Sequence, residues 1–315
     1  NLLHKAEEAA PHSPVGYMFG DEPGNMGDVI EYSSQAAATI RQADPTARVG
    51  WSGVWLDFKQ DVPEFFKTCN YVTAYSPHHL YTPNLWLGVE RDLYRSFKQP
   101  DSILTCWTHY APWADNEPYS RTVPWLWLFE GMNGVSYFST ADEFAILPGD
   151  LRLTHETRWW NEELRELKHG AGKQLIGMER DNGGIRILFT RYAGGSETWM
   201  RALNQLNIPY RLFDRDELVT NPDQHVKLVI CPEPQHLSEK ESAALQACAA
   251  AGGIVVAVGP ALTNSNSRLE ALFGLTRPAD NPPLQTTANI NSTVSLRLPA
   301  DQQAPPLTLS GKTTG

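Results

Sequence analysis

With 315 residues, 41% of them hydrophobic and 10% aromatic, the chain carries enough apolar surface for two folded domains. Its formal charge is −10 and its 26 basic residues are scattered, which excludes the clustered Lys and Arg that a nucleic-acid partner requires. No run approaches the roughly 18 consecutive apolar residues of a membrane span.

In chain order, residues 15–20 form a short apolar strand that runs into Asp21-Glu22-Pro23-Gly24. Pro23 lacks a ladder donor, so both carboxylates are expected where backbone pairing stops and a loop begins. In an α/β barrel, that edge is the catalytic rim. A helix is predicted over 27–43, and further strands over 48–52, 71–75, 103–107 and 134–139. Strands alternating with helices point to a parallel sheet with crossover helices. A helix over 155–168 carries Trp159, Trp160, Leu164 and Leu167 at helical spacing, the pattern of a face packed on a wall.

Gly170 to Gly172 then stop the helix and mark a boundary, so the first domain is expected over 1–169. A second α/β unit follows over 170–276, with strands at 185–189, 210–213, 227–231 and 253–258 and helices at 197–206 and 238–251. Ser238 and Glu241 stand at capping-box spacing at the start of the last helix. Residues 277–315 are rich in Pro, Asn and Thr, with alternation only over 293–298, and read as a linker or the start of a truncated β domain.

The four cysteines, Cys69, Cys106, Cys231 and Cys248, form no CxxC pair and read as buried thiols rather than as a zinc site or a disulfide framework. The adjacent His78 and His79 lack a third ligand at regular spacing. No metal or other cofactor is expected. The chain begins at Asn1 within a helical stretch and ends without a closing element, as a fragment of a longer protein would. A targeting sequence would then lie upstream. The compartment is unknown from sequence, and a cytoplasmic location is the working expectation.

Cleavage of a glycosidic bond uses two carboxyl groups across the scissile bond, one of which donates a proton. Glu22 suits the donor role, because the neighbouring Asp21 charge would raise its pKa and Gly20 and Gly24 leave room for a substrate. Aromatic and imidazole groups cluster at the other strand ends: Trp51 and Trp55; Tyr75, His78, His79 and Tyr81; Trp107, His109, Tyr110 and Trp113. Sugar rings stack on such planes, so a carbohydrate is the expected partner. The second carboxylate is open among Asp115, Glu117, Asp142 and Glu143. The strand over 103–109 carries no acid at its end.

Three stretches together resemble the family 42 β-galactosidases of the clan A glycoside hydrolases. They are Gly20-Asp21-Glu22-Pro23; residues 123–138, with Val123-Pro124-Trp125-Leu126-Trp127 leading to Gly134-Val135-Ser136-Tyr137-Phe138; and the set made by residues 206–214, 228–234, Leu237-Ser238 and 252–259. The resemblance implies the C-terminal part of a TIM (β/α)8 barrel, then a flavodoxin-like trimerisation domain, and hence a homotrimer. It makes Glu22 the acid/base residue, with Asp21, Trp51, Tyr75, His78, Trp107, His109 and Tyr110 around the sugar. Two departures stand out: Asp21 replaces the family's usual Asn, and the family's strand 7 glutamate has no counterpart near Trp107, Thr108 and His109. Glu117 is the neighbouring loop acid that could serve. Loss of catalysis with sugar binding kept is the rival reading. The second unit is also similar to class I glutamine amidotransferases. Cys231 ends a strand as their nucleophile does, but Pro232 follows and the elbow glycines are missing.

Overall fold

The computed structural model describes residues 2–21, 23, 26–54, 61–74, 86–109, 117–129, 131–138, 155–175, 178, 181–189, 194–221, 226–232, 237–257, 272–273, 295–296 and 307–308. The chain divides into two compact units, Asn1–Arg180 and Asp181–Gly315. The division falls eleven residues beyond the glycine boundary read from sequence, because a short helix after those glycines packs back onto the helix before them.

The first unit is a five-stranded parallel sheet of β1 (Tyr17–Asp21), β2 (Val49–Val54), β3 (Tyr71–Ala74), β4 (Ile103–His109) and β5 (Gly134–Phe138), paired in sequence order. Between them run α2 (Met26–Ala43), α3 (Val62–Thr68), α4 (Trp86–Phe97) and α5 (Glu117–Phe129). Helix α1 (Leu2–Ala9) precedes the sheet and α6 (His155–His169) follows it.

Parallel strands bury one face under their crossover helices, and here Val49, Val72 and Leu104 are fully buried. Ala6 of α1, Ala37 and Ile40 of α2, Ala47 and Val49 form one cluster, with Tyr17 and Phe19 packed against it. Further along, Phe65, Phe66, Leu93, Tyr94 and Trp127 are buried from α3, α4 and α5. The Tyr94 hydroxyl donates to the Val54 carbonyl at 2.6 Å, which ties α4 to the end of β2.

Two asparagines set the register at the amino edge of the sheet. Asn70 Oδ1, just before β3, accepts the Val49 N–H at 3.0 Å, and Asn133 Oδ1, just before β5, accepts the Leu104 N–H at 2.7 Å. Each side-chain amide satisfies a backbone donor of the neighbouring strand. Gly50 is required by a close approach, since a Cβ there would lie 1.7 Å from the Tyr71 carbonyl oxygen.

Helix α5 stops at Gly131, whose φ of +83° is the left-handed value that favours glycine, and the Met132 N–H closes onto the Trp127 carbonyl at 2.9 Å. Helix α7 (Gly172–Leu175) is the element that packs against α6: a Cβ on Gly172 would meet Leu167 Cα at 2.4 Å.

The second unit has four parallel strands, β6 (Ile185–Leu188), β7 (Arg211–Phe213), β8 (Leu228–Cys231) and β9 (Ile254–Ala257), in the order β7-β6-β8-β9. Helices α8 (Gly194–Gln205), α9 (Arg215–Thr220) and α10 (Glu239–Ala250) connect them. The capping box expected from sequence is formed, with Ser238 N–H donating to Glu241 and Glu241 N–H to Ser238. Leu188, Phe213, Leu218, Val229, Cys231, Leu237 and Leu245 form the core. Of the predicted strand over 293–298, β10 (Ser295–Leu296) is described, and it pairs antiparallel with β11 (Leu307–Thr308).

A candidate active site at the carboxyl edge of the first sheet

All five strands of the first sheet are parallel, so Asp21, Val54, Ala74, His109 and Phe138 end on one edge. Of the predicted site residues, Asp21 and His109 end their strands there, Trp107 and Trp51 lie two and three residues before the ends of theirs, and Glu117 opens α5.

Asp21 is the last residue of β1 and not the first of the loop. It pairs with Ser52, and an irregularity between Met18 and Asp21 lets the strand continue one residue further than its apolar run. Its side chain is exposed. Glu22, the next residue, lies outside the described residues, as do Trp55, Tyr75, His78, His79, Tyr81, Tyr110, Trp113, Asp115, Asp142 and Glu143.

Trp51 is engaged with helix α2 and strand β1. Its indole N–H donates to Ser33 Oγ of α2 at 2.7 Å, and its ring stands 5.8 Å from Phe19 and 5.9 Å from Tyr32. Phe19 and Tyr32 complete the triangle, 5.8 Å apart and nearly perpendicular. Gly20 makes room for the ring: a Cβ there would come within 2.9 Å of Trp51 Cζ3. The residue therefore joins β1 and β2 to helix α2, and Ser33 satisfies its polar edge.

The opposite sheet face is set by strand alternation. Thr73 and Thr105 share a hydroxyl hydrogen bond at 2.8 Å, and a Cβ on Gly134 would sit 3.2 Å from Thr105 Cγ2. This stretch of the face is small and polar, in contrast to the helix-covered side. Further along β4, Trp107 pairs with Ser136 and His109 with Phe138 of β5.

Glu117 opens α5 with its side chain 48% exposed, and its Oε1 pairs with Arg121 Nε at 2.8 Å. Arg121 also binds Glu162 at 2.7 Å and Glu163 at 2.9 Å on α6, while the Trp125 N–H donates to Glu163 at 2.8 Å. Hydrogen bonds donated to Glu117 first, then to Glu162 and Glu163, hold the Arg121 guanidinium firmly protonated. Glu117 thus belongs to a four-residue ionic seam between α5 and α6. This network had a partial signal in sequence, the i,i+4 spacing of Glu117 and Arg121.

Cys231 ends β8 as expected but is fully buried, and that burial pushes its thiol up to about 12. Cys69 is likewise pushed to about 12 by burial. Among the described residues no group of three or more His, Cys, Asp or Glu side chains is placed to hold a metal ion, and no helix is long and apolar enough to cross a membrane.

No protein-family profile matches the chain, and no curated protein matches it. Solved structures do match in fold. A β-galactosidase from the psychrophilic Marinomonas ef1 is 14% identical with a TM-score of 0.58, over 86% of this chain and 49% of that one. A β-galactosidase from Bacillus circulans sp. alkalophilus is 15% identical with a TM-score of 0.61, over 79% of this chain and 42% of the other. An exo-carrageenase of family GH42 from Bacteroides ovatus is 13% identical with a TM-score of 0.53, over 74% and 37%. The chain therefore spans about half the length, or less, of these proteins and shares with them an α/β fold built on parallel sheets.

Proposed function

We propose that the chain is the C-terminal part of a TIM-barrel glycoside hydrolase of the β-galactosidase kind, with Glu22 as general acid/base. One observation carries the reading: β1 ends at Asp21 on the carboxyl edge of a parallel sheet, so Glu22 is the first residue beyond the strand in a fold shared with β-galactosidases. Enzymes built on such barrels place catalytic groups at that edge. Protonation of the glycosidic oxygen by Glu22 would make the leaving sugar a neutral alcohol. Asp21, Trp107, His109, Tyr75, His78 and Tyr110 would provide the polar and stacking partners of the sugar. Trp51 would act behind them, bracing β1 and β2 against α2.

A retaining mechanism needs a second carboxyl about 5 Å from Glu22. Glu117 follows β4, three strands from β1, a separation of about 14 Å along the sheet at the usual strand spacing. Closing that gap takes a curved sheet and two inward side chains, and Glu117 would have to exchange Arg121 for the substrate. Asp115, Asp142 and Glu143 are the other candidates among the acids that follow β4 and β5. Comparing Glu117→Gln with Asp115→Asn, Asp142→Asn and Glu143→Gln in the full polypeptide separates them. Loss of turnover that added azide restores, with an inverted glycosyl azide as product, marks the nucleophile. Loss without rescue in all four excludes a retaining mechanism through this set.

The absence of any acid from Ile103 to His109 favours a second reading, a homologue that binds sugar without cleaving it. Binding of galactosides with no reducing sugar released would establish it.

The second unit we read as a flavodoxin-like domain that mediates assembly of a trimer. The order β7-β6-β8-β9 supports the flavodoxin-like topology. Cys231 supports an architectural role, because amidotransferase chemistry requires an accessible thiolate and burial keeps this thiol protonated. Light scattering on the full polypeptide tests the trimer. A monomer at micromolar concentration would refute it.

A further inference from the structure

The second unit contains a cavity of about 240 Å³ between helices α9 and α10 and the amino-terminal part of its sheet. It is a pocket with a mouth open to solvent, not an enclosed void. The space is left because α10 and its C-cap present only small residues to it, Ala244, Ala247, Cys248 and Ala251, opposite Phe213, Leu218 and Val229. Val226 completes the apolar lining, and the rest is polar: Arg186, Glu217 and Asn221.

The formal charges of the three polar lining residues sum to zero. Glu217 takes two bonds from Arg211, at 2.8 and 3.0 Å, while Arg186 donates to Asn182. Burial nonetheless raises the Glu217 pKa, with Arg211 opposing the shift. A ligand bringing a net charge would have to enter an apolar pocket beside charges that already have partners, at a large desolvation cost. A monosaccharide fits no better, since most of its hydroxyls would face alanine, leucine and valine walls without partners. An uncharged ring with a single hydroxyl meets both halves of the pocket: the ring fills the apolar part, and the hydroxyl donates to and accepts from a cluster that offers both. Apolar cavities of about 150 Å³ are known to bind benzene, so the volume here suits one substituted six-membered ring.

We propose that this cavity is a binding site for a neutral, ring-sized molecule bearing one hydroxyl, of the phenol or cyclohexanol class, distinct in chemistry from the sugar site at the first sheet.

Cys248 lines the cavity and is only partly buried, whereas Cys69 and Cys231 are buried, so its thiol reports occupancy. The experiment is alkylation of the full chain with iodoacetamide, with the Cys248 peptide followed by mass spectrometry against increasing phenol. At a phenol concentration ten times its dissociation constant, simple competition slows alkylation about tenfold. Benzoate, benzylammonium and galactose should protect far less. Ala244→Leu, which fills the interior, and Ala247→Trp, which plugs the exposed mouth, should each abolish protection. Circular dichroism identifies any variant that fails to fold, and the other then decides. No protection by phenol up to its solubility would overturn the site, as would protection that survives in a folded plugged variant. Equal protection by benzoate would overturn the neutral ligand class. None of these outcomes bears on sugar cleavage.

Discussion

The indole N–H of Trp51 donates to the Ser33 hydroxyl at 2.7 Å, and Ser33 is wholly buried in α2. This bond fixes the β2 tryptophan on the helix-covered side of the sheet and explains why Gly20 must lack a side chain beside it. Replacing Ser33 by Ala leaves a buried indole donor unpaired, at a cost of about 1–3 kcal/mol. Urea denaturation should show the loss as a lower midpoint with an unchanged slope, and galactoside KM should stay constant. A raised KM at unchanged stability would put Trp51 in contact with the sugar after all.

Gly50→Ala places a methyl 1.7 Å from the Tyr71 carbonyl oxygen, a backbone atom held in the sheet. Overpacking of this kind costs about 1–3 kcal/mol or more, and no side-chain rotation relieves it. The expected outcome is a protein whose first unit is lost to aggregation, while Gly131→Asn, at a position with φ of +83°, is tolerated. A soluble Gly50→Ala protein with wild-type melting would contradict the β2–β3 register.

Arg121 joins α5 to α6 through Glu117, Glu162 and Glu163. Arg121→Met leaves three carboxylates facing one another, so thermal unfolding should shift down, most at low salt. Because the Debye length shrinks from about 10 Å at 0.1 M to about 3 Å at 1 M, the difference from wild type should narrow in high salt. A salt-independent difference would mean that packing, not charge, is what the arginine supplies.

Glu217 has a raised pKa because of its burial, which Arg211 only partly offsets. A carboxyl with a raised folded-state value binds its proton more tightly folded than unfolded. Its stabilising contribution is therefore full below the ordinary value near 4.3 and is lost as pH rises through the raised one. Glu217→Gln should flatten the stability profile across that window, measured as urea midpoint against pH. An unaltered slope would show that Arg211 dominates.

The strands were legible in the sequence because apolar, β-branched runs bounded by Gly, Pro and polar residues have few other solutions. β2, β3, β4 and β5 begin within a residue or two of expectation, and the capping box at Ser238 is formed as its spacing predicts. The short helices were harder to see. α3 spans seven residues and carries Pro63 in its first turn, although Asp61 with Glu64 three residues on is a start signal, and the Asp61 side chain does accept the Glu64 N–H. The same spacing at Asp214 and Glu217 starts α9.

Side-chain facing was the least legible property. An aromatic near a strand end looks the same in sequence whether it faces a helix, as Trp51 does, or a cleft. Glu117 was readable as an acid after β4, but the Arg121 seam that engages it depends on α6, some forty residues away. Asn70 and Asn133 gave no sequence signal, because their amides act on neighbouring strands.

The most direct test of the account compares Glu22→Gln with the unaltered full polypeptide on two galactosides, one with an alkyl alcohol and one with an activated nitrophenol as leaving group. A proton donor matters only where the departing oxygen is basic. Turnover of the alkyl galactoside should fall by a factor of about 100 or more, while the nitrophenyl substrate loses far less at its bond-breaking step. Equal losses on both substrates, or no loss on either, would contradict Glu22 as the acid.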